Sequence, residues 1–119
     1  MSDFGSAFPL ASGDAAQPAA GAGTNLLTLS AELIERGALR YTPAAVPVVE
    51  CQLMHSSLQT EGGIERQVHL EIPAVALADM AAQLQQIVPG TRLEATGFLA
   101  PLRRGSRTLR LHLTRIVPY

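Results

Sequence analysis

Arginine is the residue type with the clearest potential chemistry in this chain. All nine basic residues are arginines, and Arg103, Arg104 and Arg107 lie close together near the C-terminus. A guanidinium group pairs with phosphate oxygens and also stacks on flat aromatic or base surfaces. The three side chains therefore predict contacts to phosphate groups. The alternative is a solvated hairpin tip that binds nothing.

The charge distribution also favours an anionic partner. The formal net charge of the whole chain is −1, yet six of the nine arginines follow residue 90, where Glu94 is the single acid. Such an asymmetry between two parts of a chain is typical of a protein with an anionic ligand. The alternative is that arginine serves this sequence only as a solubilising cation.

Several classes of chemistry find no support in the residue pattern. Cys51 is the only cysteine, so an intramolecular disulfide is impossible, and no Cys/His set has zinc-site spacing. Ser56 and Ser57 lack a neighbouring base with its orienting partner, and no glycine-rich phosphate loop follows a strand. We therefore expect no enzymatic activity, no catalytic residue, no metal and no cofactor. We expect Cys51 to be a small core residue.

The chain also lacks the marks of membrane insertion or export. No stretch is long and apolar enough to span a bilayer, and the N-terminus lacks the basic start and apolar segment of a signal peptide. We expect a cytoplasmic protein with no membrane partner. Residues 1–24 are rich in Ala, Gly, Ser and Pro without any period, which predicts a flexible tail.

Residues 25–119 contain the periodic patterns of one folded domain. Alternation of apolar and polar residues predicts strands over 27–33, 46–55, 64–72, 92–99 and 108–117. Apolar residues at three- and four-residue steps predict one helix over 75–88. Residues 56–63 are interpreted as a loop, Pro73 as the end of the third strand, and Gly97 as a bulge.

The order strand, strand, strand, helix, strand, strand predicts an all-β fold. Closing five strands into a barrel removes exposed sheet edges, and a helix between strands 3 and 4 is the plan of an OB-fold. That fold commonly binds oligonucleotides or oligosaccharides with strands 2 and 3 and the 1–2 and 4–5 loops. Arg40 and Tyr41 then lie in the 1–2 loop, and the clustered arginines in the 4–5 loop.

The same residues resemble a known family. NLLTLS at 25–30 followed by LRYTP at 39–43 is similar to the opening of bacterial single-stranded DNA-binding proteins. The order and spacing of SLQTEGGIERQ (57–67), Pro73, TRLEATGF (91–98), the basic turn and Leu111-His112 resemble most closely the PriB family of primosomal replication proteins. These are short relatives of that larger group. The resemblance covers residues 25–117.

This resemblance implies a function and partners. A PriB-like protein is expected to be a homodimer of OB-folds that binds single-stranded DNA with little sequence preference. It is expected to assemble the primosome with the PriA helicase and the DnaT protein when stalled replication restarts. Two alternatives stay open: an OB-fold protein-interaction module with weak DNA binding, and a general single-stranded DNA-binding protein. No acidic-tipped tail follows the fifth strand, and this argues against the latter.

The resemblance also implies site residues. Arg40 matches a basic DNA-contacting position, and Tyr41 beside it either stacks on a base or packs under the loop. Arg66 matches a family arginine; because its stem shares the strand face of apolar residues, the alternative is that it only covers the core edge. His69 falls where the family carries a stacking tryptophan, and Ile64 at another aromatic position. The full expected DNA-binding set is Arg40, Tyr41, Arg66, His69, Arg103, Arg104 and Arg107.

The scarcity of aromatic residues affects the expected mode of binding. The chain has no tryptophan and only 4% aromatic residues. Binding should therefore depend mainly on arginine–phosphate pairing and weaken steeply with salt. His55 and His112 are expected to be ordinary strand residues.

Overall fold

The fold is known from a computed structural model that describes residues 22–119. Residues 1–21, which contain most of the predicted tail, lie outside the described residues. The first long-range anchor is Asn25. Its Nδ2 donates to the Leu99 carbonyl oxygen at 2.7 Å, and the Leu99 amide donates back to its Oδ1 at 2.9 Å. The chain is thus attached to the fold from the residue at which the patterns begin.

The described chain forms a closed barrel. The elements are β1 (Leu27–Arg36), β2 (Arg40–Tyr41), β3 (Pro47–Glu61), β4 (Ile64–Leu77), α1 (Asp79–Gln85), β5 (Arg92–Pro101) and β6 (Leu109–Pro118). The strands pair in the order β1-β5-β6-β4-β3-β2, and β1 also pairs with β3, which closes five long strands into a ring. The all-β, OB-like barrel with one short helix is confirmed. The helix lies between β4 and β5, not between strands 3 and 4, because the two-residue β2 in the first connection adds a strand.

Alternation between inward and outward side chains builds most of the core. On β3, Val49, Cys51 and Leu53 point into the barrel, while their neighbours Glu50 and Gln52 point outward. Burial of apolar side chains is the main stabilising term for such a barrel. Burial also raises the pKa of the Cys51 thiol to about 12, and its expected place in the core is confirmed. The largest fully buried side chains are Leu33, Leu53, Leu84, Leu93, Leu111, Val49 and Val75.

The predicted loop over residues 56–63 is wrong. β3 continues to Glu61 and β4 begins at Ile64, so the turn consists of Gly62 and Gly63 alone. Both glycines have positive φ, 59° and 79°, as a two-residue hairpin turn with the correct twist requires. In the described chain, β3 residues beyond Met54 pair only with β4. We name this projecting hairpin, residues 55–70, the arm. Both faces of the arm are largely exposed, so its sequence is polar. This polarity is why the sequence pattern predicts a loop there.

The prediction that Pro73 ends its strand is also wrong. β4 continues through Pro73 to Leu77, so α1 is shorter than the predicted helix over 75–88. Pro73 lies opposite Gln52 of β3, and β6 pairs with β4 only at residues 74 and 75. A missing amide donor is tolerated where a strand has one neighbour.

The helix is far too short to cross a membrane, and no other helix in residues 22–119 is long enough.

Two further contacts hold the barrel ends. Arg36 donates from Nη1 to the carbonyl oxygens of Gln85 and Ile87, at 2.7 and 2.6 Å, and so satisfies the C-terminal end of α1. At Gly97 the β5–β6 register shifts: Thr96 pairs with Arg115 and Gly97 with Leu113, so the extra residue is Thr114 on β6, opposite the position where the sequence predicts an irregularity. A Cβ at this position would overlap the backbone carbonyl of His112, so only glycine fits this close approach.

Candidate nucleic-acid interface

The outward residues of β3 and β4 form a continuous surface, which we name the outer face. Near its start, three charged side chains from different strands meet. Glu50 Oε2 accepts hydrogen bonds from Arg40 Nη2 at 2.7 Å and from Arg110 Nη1 at 3.3 Å. We name these three residues the Glu50 cluster. Its two guanidinium groups come from opposite sides of the barrel wall, β2 and β6, and both are held over the outer face.

A cleft of about 340 Å³ lies beside the Glu50 cluster. Its floor comes from β3 and β4, including Gln52 and Pro73, and its walls from the end of β1 and from Leu102. Arg110 also borders the cleft, and its Nε is buried without a partner among the described residues. A buried guanidinium donor left unpaired is unusual in a folded protein.

The clustered arginines lie in the β5–β6 loop, residues 102–108, next to this cleft. Backbone hydrogen bonds shape the loop: the Leu102 amide donates to the Thr108 oxygen at 2.7 Å, and the Ser106 amide donates to the Arg103 oxygen at 2.9 Å. Gly105 takes a φ of 77° at the tip. This tight turn keeps its arginine side chains in solvent, and none of them forms an ion pair with another residue of the described part. The three exposed arginines are Arg103, Arg104 and Arg107.

Tyr41 lies next to Arg40 in β2, and its side chain is 63% exposed. The following turn is closed locally, since the Thr42 amide donates to the Val46 oxygen at 2.9 Å and the Ala45 amide to the Thr42 oxygen at 2.8 Å. The turn therefore does not need the tyrosine ring for packing. Of the two roles considered for Tyr41, packing under the loop does not agree with this exposure, and stacking on a base stays a prediction.

The two expected residues on the arm are separated from the loop arginines. His69 lies opposite Ser56, with Nδ1 2.8 Å from Ser56 Oγ, on the continuation of the outer face. Ser56 is six residues beyond Glu50 on β3, about 20 Å at roughly 3.3 Å per residue. Arg66 lies further out and on the other side of the arm, opposite Gln59. The structure therefore does not place all seven expected residues together.

Arg66 is mostly exposed and does not cover the core. Its side chain is 67% exposed and pairs with Glu61 at 3.1 Å across the hairpin tip. An exposed pair of this kind contributes little to stability, about 0–1 kcal/mol, and is readily exchanged for another anion. Arg66 thus remains a candidate phosphate contact at the tip of the arm.

Comparison with known proteins identifies the family. Residues 25–115 match the model of a family described as another single-strand binding protein family. The replication restart protein PriB of Bordetella pertussis is 47% identical over 89 residues, which cover 75% of this chain and 83% of that protein. The chain belongs to the PriB family.

Solved structures agree with this assignment. PriB from Ralstonia solanacearum is 41% identical, with a TM-score of 0.73, and the match covers 82% of this chain and all of that one. The single-stranded DNA-binding protein of Thermus aquaticus is 21% identical with a TM-score of 0.65, over 82% of this chain and 50% of that one. The second likeness concerns the fold alone, and it supports the OB-like barrel.

Two residues of this PriB family member were missed by the sequence reasoning. Glu50 and Arg110 were identifiable as outward residues, since each lies between inward apolar neighbours on its strand. Their meeting depends on the parallel β4–β6 pairing, which joins strands distant in the chain. No local pattern signals that pairing. The only available hint was that Arg110 extends the basic segment by one more cation.

His112 lies on β6, two residues beyond Arg110, and is a strand residue as expected, but its Nε2 is buried without a hydrogen-bond partner among the described residues. Its ring stacks on Phe98, with centroids 4.9 Å apart and planes 9° from parallel. Burial and, second, the Arg110 charge lower the pKa of His112 below its usual value. The ring is therefore kept neutral beside a cationic neighbour, and it adds no positive charge to the face.

Proposed function

We propose that this protein binds single-stranded DNA along its outer face and acts as a PriB-type replication restart factor. One observation carries the proposal: Arg110 and Leu102, where the arginine-rich β5–β6 loop begins, line one cleft on the outer face of an OB-like barrel, and Glu50 holds Arg40 beside it. A groove that combines cations with planar groups is what sequence-independent binding of a single strand needs.

In this proposal, the different parts of the face do different work. Arg103, Arg104 and Arg107, which form no ion pair with a described acid, pair with phosphates beside the cleft. Tyr41 offers a ring for base stacking beside them. The strand then follows β3 and β4 toward the arm, where His69 offers a smaller planar group and Arg66 a further cation.

The finer biological role rests on the family. Relatives are named replication restart proteins, and we infer that this chain, in the cytoplasm, joins DNA to the PriA helicase and the DnaT protein. It needs no cofactor for this role, and we assign it no catalytic activity. We also infer a homodimer. At residues 27–31, β1 pairs with β5 on one side, and no described strand covers its other side, which leaves an edge for a second copy.

Fluorescence anisotropy tests DNA binding directly. A labelled oligo-dT of about thirty nucleotides is titrated with the wild-type protein at low and moderate salt, with a duplex of equal length as the control. We expect salt-sensitive binding with a preference for the single strand. Absence of binding at low salt would reject the proposal.

Sedimentation of the same sample tests the dimer, since a species of 12.6 kDa would be a monomer.

A second candidate is a protein-interaction module with weak DNA binding. It is favoured by Glu50, which occupies two arginines of the face, and by the absence of tryptophan. Immobilised PriA helicase, mixed with the protein in the presence and absence of oligo-dT, separates the two. Capture that is independent of DNA, together with failure in the anisotropy assay, would favour this second candidate.

A further inference from the structure

Two of the best placed cations on the outer face are not free, because both bind one carboxylate. Arg40 and Arg110 donate to the same oxygen of Glu50, at 2.7 and 3.3 Å. We propose that Glu50 is an internal competitor of DNA phosphate, which occupies the binding groups of these two arginines and sets the affinity for the strand below what the cations alone would give. This inference rests on the proposed function and deepens it.

The register explains why one acid reaches both arginines. Arg40 lies opposite Val48, so Glu50 is its diagonal outward neighbour on β3. On the other side, Glu50 is opposite Val75 of β4, and Val75 is aligned with His112 of β6, two residues beyond Arg110. The carboxylate therefore lies between the two guanidinium groups across three strands. A phosphate that binds both arginines must take the same place.

Exposure shows that exchange is possible. The Glu50 side chain is 49% exposed and that of Arg40 57% exposed, so an entering phosphate reaches both from solvent. Exposed ion pairs are weak and exchange readily. Arg110 is only 20% exposed, and its Nε lacks a partner within residues 22–119. An entering phosphate therefore reaches Arg110 through its terminal nitrogens, one of which Glu50 occupies.

The charge balance gives the sign of the effect. With Glu50 ionised, the cluster has a net charge of +1, and with a glutamine in its place it has +2. Glutamine keeps the size and an oxygen acceptor for the arginines but does not repel phosphate. The salt slope is the slope of the logarithm of the binding constant against the logarithm of the salt concentration. One additional unpaired cation adds about 0.7 to its magnitude for a single strand. The Glu50→Gln variant should bind oligo-dT about five- to tenfold more tightly at 50 mM salt, equivalent to roughly 1 kcal/mol.

The test compares Glu50→Gln with Glu71→Gln in the anisotropy titration, at several salt concentrations. Glu71 is an exposed acid on the same outer face, opposite Met54, and it forms no ion pair with a described residue. It therefore reports the effect of removing an acid without releasing arginines. We expect tighter binding and a steeper salt slope for Glu50→Gln, and a clearly smaller change for Glu71→Gln. Thermal melts confirm that both variants are folded.

A double-mutant cycle with Arg40→Gln adds a decisive second readout. In the wild type, the Arg40 guanidinium is held by Glu50 at 2.7 Å, so its loss should cost less affinity than the same loss in the Glu50→Gln background. In the Glu50→Gln background, the loss of Arg40 should cost most of the gain. Equal effects of Arg40→Gln in both backgrounds would overturn the proposal, and so would unchanged or weaker binding by folded Glu50→Gln protein. Failure of both wild type and Glu50→Gln to bind any oligonucleotide would reject the proposed function together with this inference.

Discussion

The β5–β6 loop provides the most direct quantitative test of the proposed interface. Replacing Arg103, Arg104 and Arg107 by alanine removes three cations that have no ion-pair partner within residues 22–119. If each contacts one phosphate, the salt slope for a single strand should fall in magnitude by about 2, at roughly 0.7 per contact. Between 50 and 200 mM salt, the wild type should then lose about 20-fold more of its affinity than the variant.

The assay is the anisotropy titration with oligo-dT at four or more salt concentrations, and its control is Arg115→Ala. Arg115 is exposed on β6 opposite Thr96, on the wall away from the cleft. Its loss changes the net charge without touching the outer face, so its slope should equal that of the wild type. The loop arginines are exposed, so the melting temperature of the variant should stay close to that of the wild type.

Two results would refute this reasoning. An unchanged slope in the folded triple variant would show that the loop does not contact phosphate. A slope that falls by the same amount per charge in Arg115→Ala would show that net charge, and not the position of the loop, governs binding.

Three further predictions concern single residues. Gly97→Ala places a methyl group against the His112 carbonyl and should cost about 1–3 kcal/mol, a fall of several degrees in a thermal melt, whereas Gly23→Ala, which meets no atom, should have no effect. His69→Trp should tighten oligo-dT binding by about 1 kcal/mol through greater stacking area, and looser binding would contradict the assignment of His69 to the DNA path. The lowered pKa of His112 implies that the unfolded chain takes up a proton at higher pH than the folded one. The contribution of His112 to the free energy of unfolding should therefore be complete above about pH 6.5, the ordinary histidine value, and fall as the pH drops below it. In urea titrations at pH 7.5 and 5.5, the difference in the free energy of unfolding between the two pH values should be smaller for His112→Phe than for the wild type.

The barrel was predictable because its strands alternate between core and solvent. Val49, Cys51 and Leu53 point inward as their period requires, and the order of elements then predicts a closed sheet. The arm was not predictable, because a hairpin with two exposed faces has no apolar alternation to detect. Pro73 was misinterpreted for a different reason: whether proline ends a strand depends on which neighbour needs its amide. That depends on the pairing of β4 with β6, which the local sequence does not contain.

The candidate site was predictable only in part, for a related reason. Arg103, Arg104 and Arg107 are adjacent in the chain, so their grouping is visible in the sequence. The Glu50 cluster joins β2, β3 and β6, and its existence depends on the register of strands far apart in sequence. Cations close together in the sequence predict a binding loop, whereas the acid that partly neutralises Arg40 and Arg110 is found only from the folded structure.

The two ends of the outer face differ in the groups that predominate there, so salt should distinguish them. In the proposed interface, guanidinium groups predominate at the cleft end, and their contribution depends on counterion release and therefore on ionic strength. At the arm, about 20 Å further along β3, His69 is proposed to contribute through stacking, which depends little on salt. Changes in the loop should therefore alter the slope of affinity against salt, whereas changes at His69 should shift affinity by a similar factor at every salt concentration. If His69 variants altered the slope instead, the strand would contact the arm through its phosphates, and Arg66 would be the cation to examine there.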